Sequence, residues 1–126
     1  MRKLMLALLL GVCCVGLGFD YPSAPIAKKE EPKSISDVMN AAMKGGLNRK
    51  VISGEATDEE KLEFLNLMID LVENDPPQGD AAEWKNTAGL VMLTAAKVVV
   101  GREGAGDALK DAANCKRCHD IFKPAE

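Results

Sequence analysis

The spacing of apolar residues constrains the fold of this chain more than any other feature. From Ser34 onward, apolar side chains recur at intervals of three and four residues, the spacing that places them on one face of an α-helix. The pattern occupies four segments, at about 34–52, 57–75, 81–100 and 105–122. No segment combines a period of two with a hairpin signal. We therefore predict an all-α fold.

Polar residues mark where three of these helices begin. Ser34 is placed to cap the first helix, and Thr57 with Glu60 has the spacing of a capping box at the start of the second. Asp80 with Glu83 repeats this arrangement before the third helix. The fourth helix is predicted to run without a break from Ala105 or Asp107 to about Phe122.

Glycine and proline interrupt the pattern at two places. Gly45-Gly46 either kinks or restarts the first helix, because each glycine costs roughly 1 kcal/mol relative to alanine. Pro76-Pro77 ends the second helix. The predicted apolar faces comprise Ile35, Val38, Met39, Ala42 and Met43; Leu62, Leu65, Met68, Ile69 and Val72; Trp84, Ala88, Val91, Met92, Ala95 and Val99; and Leu109, Ala112 and Ala113.

Four helices joined by short connections favour an antiparallel up-down-up-down four-helix bundle. The predicted bundle covers residues 34–126 as one domain. A chain of 126 residues with 47% hydrophobic and 28% charged residues is typical of a single globular core.

The N-terminal residues have the features of an export signal. Arg2 and Lys3 precede the apolar stretch 4–15, which is too short to span a bilayer and is followed by small residues. Residues 1–18 are therefore predicted to be a cleaved signal peptide that directs the protein to the periplasm. The proline-containing residues 19–33 are predicted to form a flexible leader.

Two other interpretations of the N-terminus remain. The apolar stretch would instead serve as an uncleaved anchor, or Cys13 or Cys14 would carry a lipid. Val12 stands where a small residue precedes a lipidated cysteine, so lipoprotein anchoring is the less favoured alternative.

The charge balance excludes some partners. Removing residues 1–18 lowers the 16 basic residues to 14 against 19 acidic ones, which leaves a net charge of about −5. A chain of this charge is not expected to bind nucleic acid or an anionic membrane. The same charge permits a basic redox partner.

A Cys-x-x-Cys-His sequence lies near the C-terminus, at Cys115, Cys118 and His119. This is the signature for attachment of a c-type haem. On a helix the three residues share one face, so two thiols are able to bond the haem vinyl groups while the imidazole reaches the iron. We predict one covalently bound haem c, with His119 as an iron ligand.

The motif has three other interpretations. A thioredoxin-like site is expected at the start of a helix that follows a strand, which the pattern here does not predict. A zinc site lacks a fourth ligand of the usual kind, because His119 is the only histidine. An ordinary disulfide in a haem-free redox or structural bundle is the third.

The second axial ligand of the iron cannot be another histidine of this chain, which leaves methionine, an open site, water or, more rarely, lysine. A methionine ligand would suit the protein to electron transfer, and a vacant position would suit it to binding NO or CO. Met39 and Met43 lie one turn apart on the first predicted helix, and Met68 and Met92 lie on the second and third. Methionine is also a common filler of apolar cores.

The stretch from Trp84 to Lys123 resembles the class II cytochromes c, the cytochrome c′ and c556 group. The resemblance rests on the alanine-rich helix, Gly101, Leu109 and the final Cys-Lys-Arg-Cys-His-Asp-Ile-Phe-Lys. It implies a four-helix bundle with haem attached on the last helix, whose first helix faces the open side of the iron.

The resemblance also implies roles for individual residues. In methionine-ligated members the sixth ligand lies on the first helix, which corresponds to Met39, with Met43 next. Lys123 matches a basic residue near the haem edge. The implied function is that of an electron carrier and not an enzyme, with small redox proteins or membrane electron-transfer complexes as partners and pairing into a homodimer left open.

Overall fold

The computed structural model describes residues 31–125, and the regular structure there is entirely helical. The all-α prediction is confirmed for this part of the chain. The predicted signal peptide, residues 1–18, and most of the predicted leader, residues 19–33, lie outside it. The helices are α1 (Ile35–Val38), which continues as a π-helical stretch (Met39–Lys44), α2 (Leu47–Ser53), α3 (Asp58–Glu73), α4 (Ala81–Val99), α5 (Ala105–Ala112) and α6 (Cys115–Phe122).

The two longest helices begin where the capping residues predict. The Thr57 hydroxyl accepts a hydrogen bond from the Glu60 amide at 3.2 Å, and the Thr57 amide donates to the Glu60 carboxylate at 2.9 Å, so the capping box before α3 is complete. Asp80 accepts from the Glu83 amide at 2.8 Å at the start of α4. Both predicted helices are confirmed to within two residues at each end.

The core lies between α3 and α4, which form the most extensive helix pair. α3 also contacts α1 and α2, while α5 packs against α4 and α2. The largest fully buried side chains are Phe64, Leu67, Met68, Leu109, Val38 and Val51. These contacts are compatible with a helical bundle.

The predicted apolar face of α3 is partly wrong. Leu62 is 50% exposed and Ile69 is 37% exposed, whereas Phe64 and Leu67 are buried. The helix carries apolar residues around more than one face, so periodicity alone allowed two choices of buried side. In the structure α3 packs against α4, and the buried face of α3 is the one that carries Phe64.

The first predicted helix is interrupted at the glycine pair. Gly46 has a φ of 81°, a left-handed conformation that glycine adopts without steric cost, and α2 starts after it. The turns before it are π-helical, and the Gly45 amide donates to the Asn40 carbonyl five residues back at 3.0 Å. Of the two expectations, a kink or a restart, the structure shows a restart.

The prediction of one unbroken helix from Ala105 to Phe122 is wrong. α5 ends at Ala112, and Asn114 has extended backbone angles. The Asn114 side-chain oxygen accepts from the amides of Lys116 at 3.0 Å and Arg117 at 3.3 Å. Because asparagine is a strong N-cap, it ends the preceding helix and starts a new one.

No helix within residues 31–125 is long and apolar enough to cross a membrane. The longest of them, α4, has 19 residues, including three charged ones in its sequence Ala-Ala-Glu-Trp-Lys…Lys-Val-Val. A spanning helix needs about 20 predominantly apolar residues.

Two helical glycines are predicted to respond oppositely to alanine. A Cβ at Gly106 would lie 2.9 Å from the Ile52 carbonyl oxygen, so Gly106→Ala is expected to destabilise the protein by about 1–3 kcal/mol. A Cβ at Gly89 meets nothing within 4 Å, so Gly89→Ala is expected to stabilise it by about 0.5–1 kcal/mol. Urea unfolding measures both. Equal changes in the two variants would contradict the close approach of α5 to α2.

Candidate functional site

The helix that carries the Cys-x-x-Cys-His motif is anchored at its C-terminal end by an aromatic side chain. Phe122 is 2% exposed, and its ring meets the Trp84 ring edge-to-face, with centroids 5.1 Å apart and an interplanar angle of 78°. A Cβ at Gly79 would lie 3.0 Å from the Phe122 ring, so only glycine leaves room for it. Phe122 thus ties α6 to the α3–α4 loop and to α4.

A polar contact from the same loop holds the end of α6. The Gln78 side-chain amide donates to the carbonyls of Ile121 at 3.0 Å and Lys123 at 2.9 Å. The last carbonyls of a helix have no partner within the helix. Gln78 satisfies two such groups and so fixes where α6 ends.

Trp84 is itself held in one orientation. Its indole N–H donates to the Asn74 carbonyl at 2.9 Å, and the Asn74 side chain donates to the carbonyls of Asp70 at 2.7 Å and Lys33 at 2.8 Å. Trp84 is 4% exposed. The expectation that Trp84 is a core residue is confirmed, and its ring also forms part of the cavity wall described next.

A cavity of about 480 Å³ separates α6 from the first helical segment. Cys115, Cys118, His119 and Phe122 line it from α6, and Ile35, Met39 and Met43 line it from α1 and the π-helical stretch. Leu71, Trp84 and Val91 contribute to its other walls. Pockets for cofactors have volumes of roughly 300–1,000 Å³ and mostly apolar walls.

Of the four methionines of the described chain, two line the cavity and two do not. Met39 and Met43 are half-buried and line the cavity. Met68 is fully buried in the core, and Met92 packs against the core without reaching the cavity. The pair on the first helix therefore shares a cavity with the motif, and the other pair does not.

The two cysteines of the motif differ in exposure. Both are free thiols; Cys115 is exposed and Cys118 is half-buried. His119 is exposed and borders the same cavity. All three residues predicted from the motif lie together on α6, with the cavity beside them.

Burial raises the pKa of the Cys118 thiol above its ordinary value, and the nearby Cys115 adds to this effect. Because the thiolate is the reactive form, Cys118 in the haem-free chain is expected to react more slowly than Cys115 with iodoacetamide at neutral pH. The difference should shrink as the pH rises and Cys118 ionises. Peptide mapping after brief labelling at several pH values measures both rates. Faster labelling of Cys118 would contradict its burial.

Charged groups surround the mouth of the cavity. Lys44 and Lys123 line it, and both are exposed. Lys116 and Arg117 are also exposed, and Lys116 pairs with Asp120 one turn later at 2.5 Å. Within residues 31–125 no carboxylate lines this cavity.

The residues present fit a covalently held planar cofactor. Two thiols and an imidazole lie at one side, two thioethers at another, and aliphatic and aromatic side chains complete the walls. Over residues 31–125 no three His, Cys, Asp or Glu side chains form a ligand set for a bare metal ion. Thiols, an imidazole and thioethers are the residue types that a covalently attached haem would require.

Sequence reasoning missed three residues that position the site. Asn114 directly precedes the motif, and its preference for helix N-caps was a signal that could have located the start of α6. Gln78 and Asn74 carry no comparable signal, because their partners are 43 and 41 residues away.

Comparisons of the chain with protein-family models, with curated proteins and with solved structures give no match.

Proposed function

We propose that this chain is an exported monohaem c-type cytochrome that carries electrons. Cys115 and Cys118 would hold one haem c through thioether bonds, His119 would be the proximal iron ligand, and Met39 would be the sixth ligand. The proposal includes membership of the class II cytochromes c and their up-down-up-down bundle, with haem on the last helix.

One observation carries this proposal. The Cys-x-x-Cys-His residues of α6 share a cavity with Met39 and Met43 of the first helical segment, although about 70 residues separate the two groups along the chain. A haem attached at one wall needs a ligand or a lid at the other. Met68 and Met92, which chemistry alone would equally allow, do not line the cavity.

The protein's own residues would determine how the site behaves. The bound haem would supply a one-electron Fe(III)/Fe(II) couple. Ile35, Leu71 and Val91 line the cavity with aliphatic side chains, which exclude water and disfavour the more highly charged iron state. A thioether ligand from Met39 acts in the same direction and raises the reduction potential.

The proposed setting is the periplasm, reached through cleavage of residues 1–18. The partners would be small redox proteins or membrane-bound electron-transfer complexes.

Expression in a host with cytochrome c maturation machinery tests the proposal. The purified protein should have the mass of the processed chain plus one haem, and its reduced and oxidised absorption spectra should be those of a low-spin c-type cytochrome. A protein that folds but has no added mass would support a haem-free disulfide or redox bundle and would overturn the proposal.

A gas-binding haem protein is the second candidate. The cavity walls include aliphatic and aromatic side chains, and such a surface around an open iron position would favour small uncharged ligands such as NO and CO. This function requires that neither methionine bind the iron.

Substitution of each methionine separates the two candidates. Met39→Ala is expected to open the sixth position, so that the reduced variant binds CO rapidly while the unaltered protein does not. Met43→Ala is the matched control, one turn away on the same cavity wall, and should leave CO binding slow. CO difference spectra measure both. Rapid, stoichiometric CO binding by the unaltered protein would establish the gas-binding candidate instead.

A further inference from the structure

Charge is distributed unevenly over this protein. The whole chain has a formal net charge of −3. Four exposed basic residues nevertheless lie at the mouth of the cavity or on the helix beside it, and we name them the basic rim: Lys44, Lys116, Arg117 and Lys123. Asp120, paired with Lys116, is the one acidic residue within α6. The candidate site is thus locally positive on a negative protein.

One cluster of acidic residues lies at the start of α3, away from the cavity. α3 carries six acidic side chains and one lysine, and three of the acids are in its first turn. α3 lines the cavity through Leu71, near its C-terminal end. Asp58 lies 13 residues earlier, which is about 20 Å along the helix axis. The first turn of α3 is therefore beyond the Debye length of about 8–10 Å from the cavity wall at physiological salt.

Some of the acidic charge on α3 is locally balanced, but most is not. Glu60 pairs with Lys50 at 2.6 Å and Asp58 pairs with Lys61 at 2.8 Å. Glu59 and Glu63, in the N-terminal part of α3, are exposed and have no ion pair within the described chain. The protein therefore has a negative end and a positive site, and such a charge distribution orients it in the field of a partner.

We infer that the basic rim docks an acidic surface of the redox partner and that this contact directs the edge of the haem toward it. The inference rests on the proposed function. The net charge alone permitted a basic partner, but the charges nearest the site decide which face approaches first, because salt screens the distant ones. Long, flexible lysine and arginine side chains at the edge of an interface act mainly on the rate of association.

A role of Lys44 and Lys123 in pairing with the haem propionates would give a different experimental result from a role in docking. If Lys44 and Lys123 served only to pair with the haem propionates, their substitution would change the reduction potential. A change in reduction potential alone would alter the rates with oxidants of both charges in the same direction, whereas a docking role predicts opposite changes. The two roles are therefore distinguishable on one set of proteins.

Small charged oxidants of opposite sign test the inference on the haem-loaded protein. Each haem Fe(II) gives one electron, becoming Fe(III), either to hexacyanoferrate(III), which becomes hexacyanoferrate(II), or to tris(phenanthroline)cobalt(III), which becomes the cobalt(II) complex. Stopped-flow rates are measured from about 10 to 200 mM ionic strength. The rate with the anionic oxidant is expected to fall as salt is added, despite the protein's negative charge.

Charge reversal at the rim identifies the residues responsible. The Lys44→Glu, Arg117→Glu double variant is expected to lose roughly tenfold in rate with hexacyanoferrate(III) at low ionic strength and to gain in rate with the cobalt complex. Lys97→Glu, Arg102→Glu is the matched control: the charge change is the same, both residues are exposed, and neither lines the cavity. Its rates should keep the salt dependence of the unaltered protein.

The Lys44→Glu single variant leaves Arg117, which lies within the motif, unchanged. It therefore tests the basic rim even if substitution of Arg117 prevents haem attachment. Haem content, measured by mass before any kinetics, distinguishes failure of the proposed function from failure of the docking inference alone. Protein without haem would overturn the proposed function and the inference with it. Haem-loaded protein that reacts faster with hexacyanoferrate(III) as salt is added, or equal effects in the rim and control variants, would overturn the inference alone.

Discussion

A Cys115→Ser, Cys118→Ser double variant is expected to carry no covalent haem. The hydroxyl of serine does not add to a haem vinyl group as a thiolate does, so both proposed attachment bonds would be lost. Cys115 is exposed and Cys118 is half-buried, so the fold should survive the change with a stability loss of no more than about 1 kcal/mol. Intact mass and far-UV circular dichroism, measured on the same sample, check both statements.

The single variants and a neighbouring position supply the controls. Each single cysteine variant should retain haem through one thioether bond, in lower yield. Lys116→Ala lies between the two cysteines and should retain full haem, because its side chain is 81% exposed and pairs only with Asp120. Covalent haem in the double variant would show that attachment does not use these thiols.

Phe122→Ala is expected to destabilise the protein by about 3–5 kcal/mol. Its ring is 2% exposed and fills the space between Trp84 and Gly79, so its removal leaves a cavity and frees the end of α6. Trp84 is the only tryptophan in the chain and contacts this ring directly. Urea unfolding followed by tryptophan fluorescence therefore measures the change at the site itself.

The adjacent residue offers a matched control for this substitution. Ile121 is also apolar and lies on α6, but it is 38% exposed. Ile121→Ala should cost less than Phe122→Ala, about 1 kcal/mol, because 38% of Ile121 is already exposed to water and its side chain is smaller. Similar losses in the two variants would mean that α6 is not anchored through Phe122.

The helix boundaries that depend on local hydrogen bonds were predictable from the sequence. Thr57 with Glu60 and Asp80 with Glu83 each satisfy their helix from within a few residues, so no distant contact is needed to place α3 and α4. The break at Asn114 rests on equally local bonds. It was missed because the apolar spacing from Leu109 to Phe122 continues across it.

The composition of the cavity was only partly predictable. The spacing of Cys115, Cys118 and His119 in the sequence directly identifies the residues that α6 contributes to the cavity wall. Which methionines face it depends on how α1, α3 and α4 pack, and periodicity also misassigned Leu62 and Ile69 of α3 to the buried side. Contacts between residues far apart in sequence, such as Gln78 with Ile121, leave no local pattern at all.

The division of the last helical segment at Asn114 has a consequence for local opening. α6 is a separately capped helix of eight residues that shares no extensive backbone contact with another described helix. Its amides should therefore exchange with solvent through a small opening that leaves the α3–α4 core closed. A cofactor bonded to α6 and seated against the first helix would couple the two, and the exchange of α6 amides would slow toward the rate of global unfolding.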